Sequence, residues 1–268
     1  MAQRKVLITG ASAGIGAEFA RQYAARGWDV ALTARRKERL EQLAEELEGS
    51  FKVSTLSISA DLGKPGAVDV ILADIDAAGW QIDGLVNNAG YGLPGTFANT
   101  SWEDQAAFMQ VLYIAPCELA HKLLPGMVER KFGRIINVAS LAGYMPGSSG
   151  HTLYASVKAG MIRFSESMQA ESNAMGWGVN CTALCPGFTW SEFHDLNGTR
   201  EQTNKMPGWM WMDAGPVVQT GIEAVETGAP VRVPGGANKF LASLSRVLPE
   251  PVARAMVQGQ TKQYRRTE

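Results

Sequence analysis

A tyrosine and a lysine four positions apart are the side chains in this sequence best suited to chemistry. Tyr154 and Lys158 stand in the run Tyr-Ala-Ser-Val-Lys, and on a helix that spacing places both side chains on one face. An ammonium group beside a phenol stabilises the phenolate, so the phenol can donate or accept a proton. The same spacing also occurs on ordinary amphipathic helices, so the interpretation depends on the segments upstream.

A glycine-rich turn near the start of the chain predicts a site for a phosphate group. The first apolar run is followed by Gly10, Gly14 and Gly16, and a helical pattern then opens with Ile15 on its apolar stripe. Backbone N–H groups at a helix N-terminus bind anions, and glycine lets a ligand approach the main chain closely. The spacing Gly-x-x-x-Gly-x-Gly differs from the standard Gly-x-Gly-x-x-Gly fingerprint of dinucleotide sites.

A third segment, Asn87-Asn88-Ala89-Gly90, follows another buried apolar run and completes an ordered set of motifs. The glycine-rich turn, Asn-Asn-Ala-Gly and Tyr-x-x-x-Lys, in this order, resemble the classical short-chain dehydrogenase/reductase family, and the resemblance covers nearly the whole chain. The stretch from Cys185 to Thr189 resembles the family segment that holds the nicotinamide end of the cofactor. The resemblance implies an oxidoreductase that interconverts a ketone and a secondary alcohol.

The resemblance implies catalytic roles for three residues. Ser140 corresponds to the serine that hydrogen-bonds the substrate carbonyl. It precedes Tyr154 by fourteen positions, one more than the family leads us to expect, and Ser148 and Ser149 are weaker candidates. Tyr154 would protonate the developing alkoxide during reduction and deprotonate the alcohol in the reverse direction. Lys158 would stabilise the phenolate and bind the nicotinamide ribose.

One position departs from the family pattern. The fourth helix normally carries an asparagine that bends the helix and helps to hold a water in the proton relay to the lysine, and here Leu112 stands at that position. A leucine side chain can neither donate nor accept a hydrogen bond. Either the relay is impaired or Pro116 bends the helix instead. The alternative to an enzyme is therefore a catalytically impaired NADP(H)-binding sensor or scaffold protein.

The end of the second predicted strand indicates which cofactor fits. NAD sites place an acidic residue there for the ribose hydroxyls, whereas NADP sites have an arginine for the 2′-phosphate. This chain has Ala34 at that position, followed by Arg35 and Arg36, and guanidinium groups match phosphate geometry. The two arginines would also fit the solvated start of a helix, but the missing acid favours NADP(H).

The resemblance also implies contacts to the rest of the cofactor. Asp61 corresponds to the aspartate beside the adenine, and Asn88 and Gly90 correspond to residues that line the adenosine ribose. The expected cofactor-binding residues are Gly10, Ser12, Gly14, Ile15, Gly16, Arg35, Arg36, Asp61, Leu62, Asn88, Ala89, Gly90, Tyr154, Lys158, Pro186, Gly187 and Thr189.

Alternating strand and helix patterns predict an α/β fold, a doubly wound and mostly parallel Rossmann sheet with helices on both faces. The predicted strands span 4–9, 29–34, 51–59, 83–88, 133–139, 178–185 and 230–233. The predicted helices span 14–26, 36–48, 65–78, 101–131, 152–176 and 213–228, with further helices near 237–248 and 250–262. These elements form one predicted domain over 1–268.

The last 80 residues, 189–268, are expected to supply a substrate lid and C-terminal helices. Within them, residues 204–212 contain three methionines and two tryptophans. This segment either docks on the core or forms an apolar lid, since polarisable side chains suit irregular ligands. The lid interpretation favours an apolar, elongated or bulky substrate, such as a 3-oxoacyl compound or a steroid-like or aryl ketone.

Composition excludes several other functional classes. The chain has 268 residues and a net charge of −1, which does not indicate a nucleic-acid or membrane surface. No apolar run approaches the ~20 residues of a membrane span, and the N-terminal sequence lacks the pattern of a signal peptide. The three cysteines and three histidines show no metal-ligand spacing. We therefore expect a cytoplasmic enzyme, and the resemblance implies a homodimer or homotetramer.

Overall fold

Strands and helices alternate along the chain in the computed structural model, which describes residues 3–93, 95–147, 152–192, 207–249 and 251–252. The strands are β1 (Lys5–Thr9), β2 (Asp29–Ala34), β3 (Thr55–Ser59), β4 (Gly84–Asn87), β5 (Gly133–Val138), β6 (Val179–Leu184), β7 (Phe188–Thr189), β8 (Trp211–Met212) and β9 (Val231–Arg232). The helices are α1 (Gly14–Ala25), α2 (Lys37–Phe51), α3 (Ala67–Ala77), α4 (Trp102–Met109), α5 (Ala115–Glu129), α6 (Thr152–Met175), α7 (Ala214–Glu226) and α8 (Gly236–Val247).

Seven of these strands form one sheet in the order β3-β2-β1-β4-β5-β6-β9. Every neighbouring pair in it is parallel. This is the strand order of a doubly wound dinucleotide-binding fold, in which the chain reverses direction from the middle of the sheet and ligands bind at the carboxyl ends of the strands. The predicted fold class is therefore confirmed.

The central strand β1 shows why the sheet must be covered on both sides. Val6 and Ile8 belong to the apolar core shared with α1, α2 and α7, whereas Leu7 belongs to the core shared with α3, α5 and α6. All three side chains are fully buried. Successive strand residues point to opposite faces, so an unbroken apolar run requires a helix layer on each face.

The predicted strand over 51–59 was wrong in its first part. Helix α2 continues through Phe51, and Lys52 then adopts a left-handed conformation with a φ of 59° while its backbone N–H donates to the carbonyl of Glu48. Strand β3 begins only at Thr55. A left-handed residue at this position ends a helix, but it is usually glycine, so the lysine gave no signal of the boundary.

The predicted helix over 101–131 is divided by a π-helical turn, Gln110–Ile114, which separates α4 from α5. The N–H of Ala115 donates to the carbonyl of Gln110, five residues back. Pro116 has no N–H to offer Leu112, the residue four positions back, and a proline ring needs room in the preceding turn. The sequence predicts a bend at Pro116, and in the structure this bend is a widened turn just before the proline.

The Met- and Trp-rich segment lies within the described residues only from 207 onward. Trp211 is buried, and its ring stacks on Trp190 with centroids 4.0 Å apart. It also pairs with Phe188 where β7 and β8 form a two-stranded ribbon. Trp209, in contrast, is 65% exposed. One tryptophan of this segment thus belongs to the packed structure and the other faces solvent.

The C-terminal part of the chain has one further predicted helix, near 250–262, which lies outside the described residues except for 251–252. Among the helices of the described residues, none has both the length and the apolar character needed to cross a membrane.

Replacing the two tryptophans separately tests this division. Trp211→Ala should lower the free energy of unfolding by about 3–5 kcal/mol, because it removes a buried aromatic side chain. Trp209→Ala should change it by about 0.5 kcal/mol or less, as expected for an exposed position. Denaturant unfolding of both variants provides the measurement. Equal losses of stability would contradict the described packing.

Candidate active site

The glycine-rich turn joins β1 to α1 and packs directly on the turn that follows β4. A Cβ atom on Gly16 would lie 2.2 Å from the carbonyl oxygen of Gly10, and a Cβ atom on Gly10 would lie 2.8 Å from the Cα atom of Ala89. Gly10 also has a φ of 65°. Only glycine fits these positions, so the predicted spacing serves the packing of the turn as well as access to its backbone.

Thr9 and Asn88 hold these two turns together. The Oγ1 atom of Thr9 accepts hydrogen bonds of 3.0 Å from the backbone N–H groups of Asn88 and Ala89. The Nδ2 atom of Asn88 donates to the carbonyls of Thr9 and Gly10 at 3.0 and 3.2 Å. The expected contact of Asn88 with the adenosine ribose stays a prediction, and the amide nitrogen of this residue fixes the glycine-rich turn. This role of Thr9 was not predicted, although a polar residue at the end of β1 was a visible signal.

The first turn of α1 offers backbone donors to an anion. Ala13 is the N-cap residue, and no side chain accepts a hydrogen bond from the first turn as a cap. The first backbone N–H groups of a helix have no acceptor within the helix, and here they include those of Gly14, Ile15 and Gly16. The helix dipole adds positive potential at the same place. The phosphate groups of a dinucleotide fit this donor set.

Ser191 lies against the same turn and was also missed. A Cβ atom on Gly14 would lie 2.9 Å from the Cβ atom of Ser191. The predicted nicotinamide segment ended at Thr189, so extending it by two residues would have included this contact. The segment after β6 therefore reaches back to the glycine-rich turn.

Helix α6 places Tyr154 and Lys158 one turn apart near its beginning. The Nζ atom of Lys158 lies 5.9 Å from the centroid of the Tyr154 ring and donates a 2.7 Å hydrogen bond to the carbonyl of Val138 in β5. Lys158 is only 7% exposed, and this desolvation lowers its pKa to about 8. The ammonium form still predominates at neutral pH, so a positive charge remains beside the phenol.

Ser140 follows β5 and begins a 3-10 turn that is fixed on two sides. Its Oγ atom accepts a 3.2 Å hydrogen bond from the backbone N–H two residues on. The N–H of Leu141 donates to the carbonyl of Pro186 at 2.8 Å. A Cβ atom on Gly143 would lie 2.8 Å from the carbonyl carbon of Lys158. The turn that carries Ser140 is thus tied both to the predicted nicotinamide segment and to α6. The weaker candidates at 148 and 149 lie outside the described residues.

At the end of β2, Arg36 reaches across to the glycine-rich turn. Its Nε and Nη2 atoms donate to the Oγ atom of Ser12 at 3.3 and 3.0 Å. Arg35 is exposed beside it, and Ala34 brings no carboxylate to this corner. Two guanidinium groups and a hydroxyl form a donor set that fits a phosphate group.

Glu192 lies in the same corner, and no sequence pattern predicted its position there. Its carboxylate accepts a 3.2 Å hydrogen bond from Arg36 and bonds of 2.7 and 2.8 Å from Nη1 of Arg39. The hydrogen bonds from Arg39, and to a smaller extent the one from Arg36, hold the pKa of the Glu192 carboxyl below its ordinary value. The contact joins residues 156 positions apart, so no local pattern indicates it.

Three other predicted residues, Asp61, Gly187 and Thr189, make local contacts or pack against α8. The Oδ1 atom of Asp61 accepts a 3.1 Å hydrogen bond from the backbone N–H two residues on. A Cβ atom on Gly187 would lie 2.4 Å from Oδ1 of Asn238 at the start of α8. Thr189 is buried, and its hydroxyl donates to the carbonyl of Gly187 at 3.3 Å. These contacts shape the local backbone.

Leu112 lies inside the π-helical turn and packs as an apolar side chain. It is 2% exposed and belongs to the core cluster that contains Phe108 and Val111. A Cβ atom on Gly90 would lie 3.6 Å from the Cγ atom of Leu112, so the leucine also contacts the turn after β4. A buried amide at this position would need partners that an apolar cluster does not supply.

The three cysteines are free thiols. Desolvation raises the pKa of Cys117 to about 11 and that of Cys181 to about 12, so neither is a thiolate at neutral pH. Within the ranges that the structure describes, no three His, Cys, Asp or Glu side chains are grouped so that they could hold a metal ion.

The sequence of this chain matches a known protein family. The family model described as short chain dehydrogenase matches residues 4–202, which include every predicted site residue. The chain belongs to the short-chain dehydrogenase family. Ketoacyl reductase HetN of Nostoc sp. is 34% identical to this short-chain dehydrogenase over 205 residues, or 76% of this chain and 70% of the relative.

Two solved structures show the same fold over nearly the whole chain. A short-chain dehydrogenase from Sphingobium yanoikuyae in complex with NADPH has a TM-score of 0.79 and 27% identity, covering 92% of this chain and 97% of that one. A bulky-bulky ketone specific alcohol dehydrogenase from Comamonas testosteroni has a TM-score of 0.75 and 25% identity, covering 93% and 96%.

The buried ammonium of Lys158 predicts a pH-dependent stability of the protein without cofactor. Its pKa is about 8 when folded against an ordinary 10.5, so between these values the unfolded chain binds more protons and stability from this group rises with pH. Between pH 8 and pH 10.5, the free energy of unfolding of the wild type should rise by about 3 kcal/mol relative to that of Lys158→Met. Urea unfolding of both proteins at the two pH values measures this. A stability difference that does not change with pH would contradict it.

Proposed function

We propose that this protein is an NADP(H)-dependent carbonyl reductase that interconverts an apolar ketone and a secondary alcohol. The observation that carries the proposal is the turn of α6 in which a buried lysine lies beside a half-buried tyrosine. The pair lies at the carboxyl end of β5, because Lys158 donates a hydrogen bond to the carbonyl of Val138, the last residue of that strand. Ligands of doubly wound sheets bind at this edge.

The catalytic roles follow from the chemistry of the three side chains. A nicotinamide cofactor supplies the hydride when the ketone is reduced and accepts it in the reverse reaction. The Tyr154 hydroxyl donates its proton to the oxygen that becomes the alcohol. The ammonium of Lys158 stabilises the phenolate that remains, and the Ser140 hydroxyl donates a hydrogen bond to the same substrate oxygen.

The proposed cofactor is NADP(H) rather than NAD(H). Supporting this choice, Arg35 and Arg36 follow β2, Ala34 replaces the acid of NAD sites, and Arg36 is already directed toward Ser12. The NADPH complex of the Sphingobium neighbour adds support from a related protein. The proposed contacts at the other end of the cofactor are those of Pro186, Gly187 and Thr189.

A 3-oxoacyl compound or a steroid-like or aryl ketone is the proposed substrate class. One relative is named a ketoacyl reductase, and one structural neighbour is specific for bulky-bulky ketones. In this chain the solvent-facing Trp190 and Trp209, 46% and 65% exposed, flank the segment after β7. Exposed aromatic side chains near a site favour apolar ligands. We further propose that residues 189–268 form the substrate side, with a lid contributed by this region.

We also propose a cytoplasmic location and an oligomeric assembly. A cytoplasmic location suits the free thiols, which persist under reducing conditions. The proposed assembly is a homodimer or homotetramer through the helices around α5 and α6, where the apolar Ile114 is 48% exposed.

The observation that favours a non-catalytic sensor or scaffold is Leu112 in place of the expected asparagine. Leu112 is buried in an apolar cluster, whereas the tyrosine, lysine and serine that the proposed chemistry needs are all present. A spectrophotometric assay of NADPH oxidation with a panel of apolar ketones separates the two functions. Turnover supports the reductase, whereas binding of NADPH without turnover of any ketone supports the sensor.

Tyr154→Phe should reduce kcat by about 10²–10⁴ while the Kd for NADPH changes little, because only the transferable proton is removed. Steady-state rates and fluorescence titration of NADPH provide the two measurements. Tyr113→Phe is a matched control, since it removes a phenolic hydroxyl from the neighbouring π-helical turn. Near-normal turnover of the Tyr154 variant would show that another group donates the proton.

Arg35→Ala should weaken binding of NADPH about ten- to a hundredfold and binding of NADH much less, because it removes a charge-assisted contact to the 2′-phosphate. Lys37→Ala removes a positive charge two positions further along the chain and serves as the control. Calorimetric titration with each cofactor gives the affinities. An equal loss for both cofactors would refute a role of Arg35 in reading the phosphate.

A further inference from the structure

A carboxylate lies at the corner where the proposed 2′-phosphate contacts converge. Glu192 bridges Arg36 and Arg39, and Arg36 at the same time donates two hydrogen bonds to Ser12. This bridge ties the end of segment 189–192 to the first turn of α2. The three charged side chains are 37–45% exposed, so solvent and dissolved anions reach them.

The guanidinium of Arg36 divides its donors between two acceptors. Its Nε and Nη2 atoms bond to Ser12, and its Nη1 atom bonds to Glu192. A phosphate group that binds Ser12 and Arg36 would bring a second anion beside the carboxylate, and like charges that share a site repel each other. Since half-exposed ion pairs are weak, the carboxylate can be displaced.

We infer that Glu192 is a specificity-determining residue whose carboxylate occupies the arginine corner as a substitute anion and must yield to the 2′-phosphate of the cofactor. This inference rests on the proposed use of NADP(H). The carboxylate lowers the affinity of the corner for the 2′-phosphate and does not act on a cofactor without that group. Glu192 thereby sets how strongly the protein favours one cofactor over the other.

Displacement of Glu192 also has a consequence for the substrate side. Segment 189–192 carries Trp190, whose ring stacks on Trp211, and Ser191, which lies against Gly14. When the carboxylate leaves Arg36 and Arg39, this segment loses its bridge to α2. Binding of the 2′-phosphate at the adenosine end therefore changes the surroundings of Trp190. This tryptophan is far in sequence from the arginines that bind the phosphate.

Nucleotide fragments test this inference without any turnover. Adenosine 2′,5′-bisphosphate and adenosine 5′-monophosphate differ only in the 2′-phosphate, and both lack the nicotinamide half. Calorimetric titration should show that Glu192→Gln binds the bisphosphate about two- to tenfold more tightly than the wild type does. The affinity for the monophosphate should stay the same.

Glu46→Gln is the matched control, because Glu46 makes a similar two-point contact with Arg21, at 2.6 and 2.9 Å, near the other end of α2. This variant removes the same charge and should leave both affinities unchanged. Tryptophan fluorescence gives a second readout. The bisphosphate, but not the monophosphate, should change the emission of the wild type, and Trp190→Phe should remove most of that change.

The possible failures are distinguishable. If the wild type favours the bisphosphate but Glu192→Gln binds it equally or more weakly, Glu192 is a tether or an organiser of the arginines, and the inference is overturned. If the wild type binds both fragments equally, the proposed NADP(H) preference is itself wrong. An equal gain in Glu46→Gln would show a general effect of net charge and would also overturn the inference.

Discussion

The hydrogen bond from the buried ammonium of Lys158 to the carbonyl of Val138 is the interaction on which the site depends. A buried charge is costly unless it is bonded, so this contact fixes where α6 crosses the end of β5. Gly143 permits the approach, since a side chain there would collide with the backbone of Lys158. Tyr154, one turn earlier on α6, is positioned by the same contact, and the turn that begins at Ser140 is held against it.

Local sequence patterns predicted the fold and the placement of Tyr154 beside Lys158 because both rest on short-range regularities. Apolar runs buried on both faces identify strands of a parallel sheet, and the four-residue spacing of Tyr154 and Lys158 needs only a helix. The patterns failed at residues 51–54, where a left-handed lysine ends α2. They also gave no sign of Glu192, because its partners are brought near only by the folded sheet.

The departure at Leu112 shows how the fold accommodates an apolar residue where the family pattern has a polar one. The leucine fills a core cluster, and the widened turn that contains it precedes a proline that cannot complete regular helix bonding. Sequence reasoning could identify the missing polar side chain and the proline, but not the π-helical form of the bend. Such turns often occur at functional sites in proteins.

The proposed reaction is the reduction of a ketone by a hydride from NADPH. The most direct test is to supply NADPH deuterated at the reactive position of the nicotinamide, with an aryl ketone, and to analyse the product by mass spectrometry. The expected product is an alcohol with a single deuterium on the carbon that carries the hydroxyl group. Tight binding of NADPH with no labelled alcohol from any apolar ketone would contradict it.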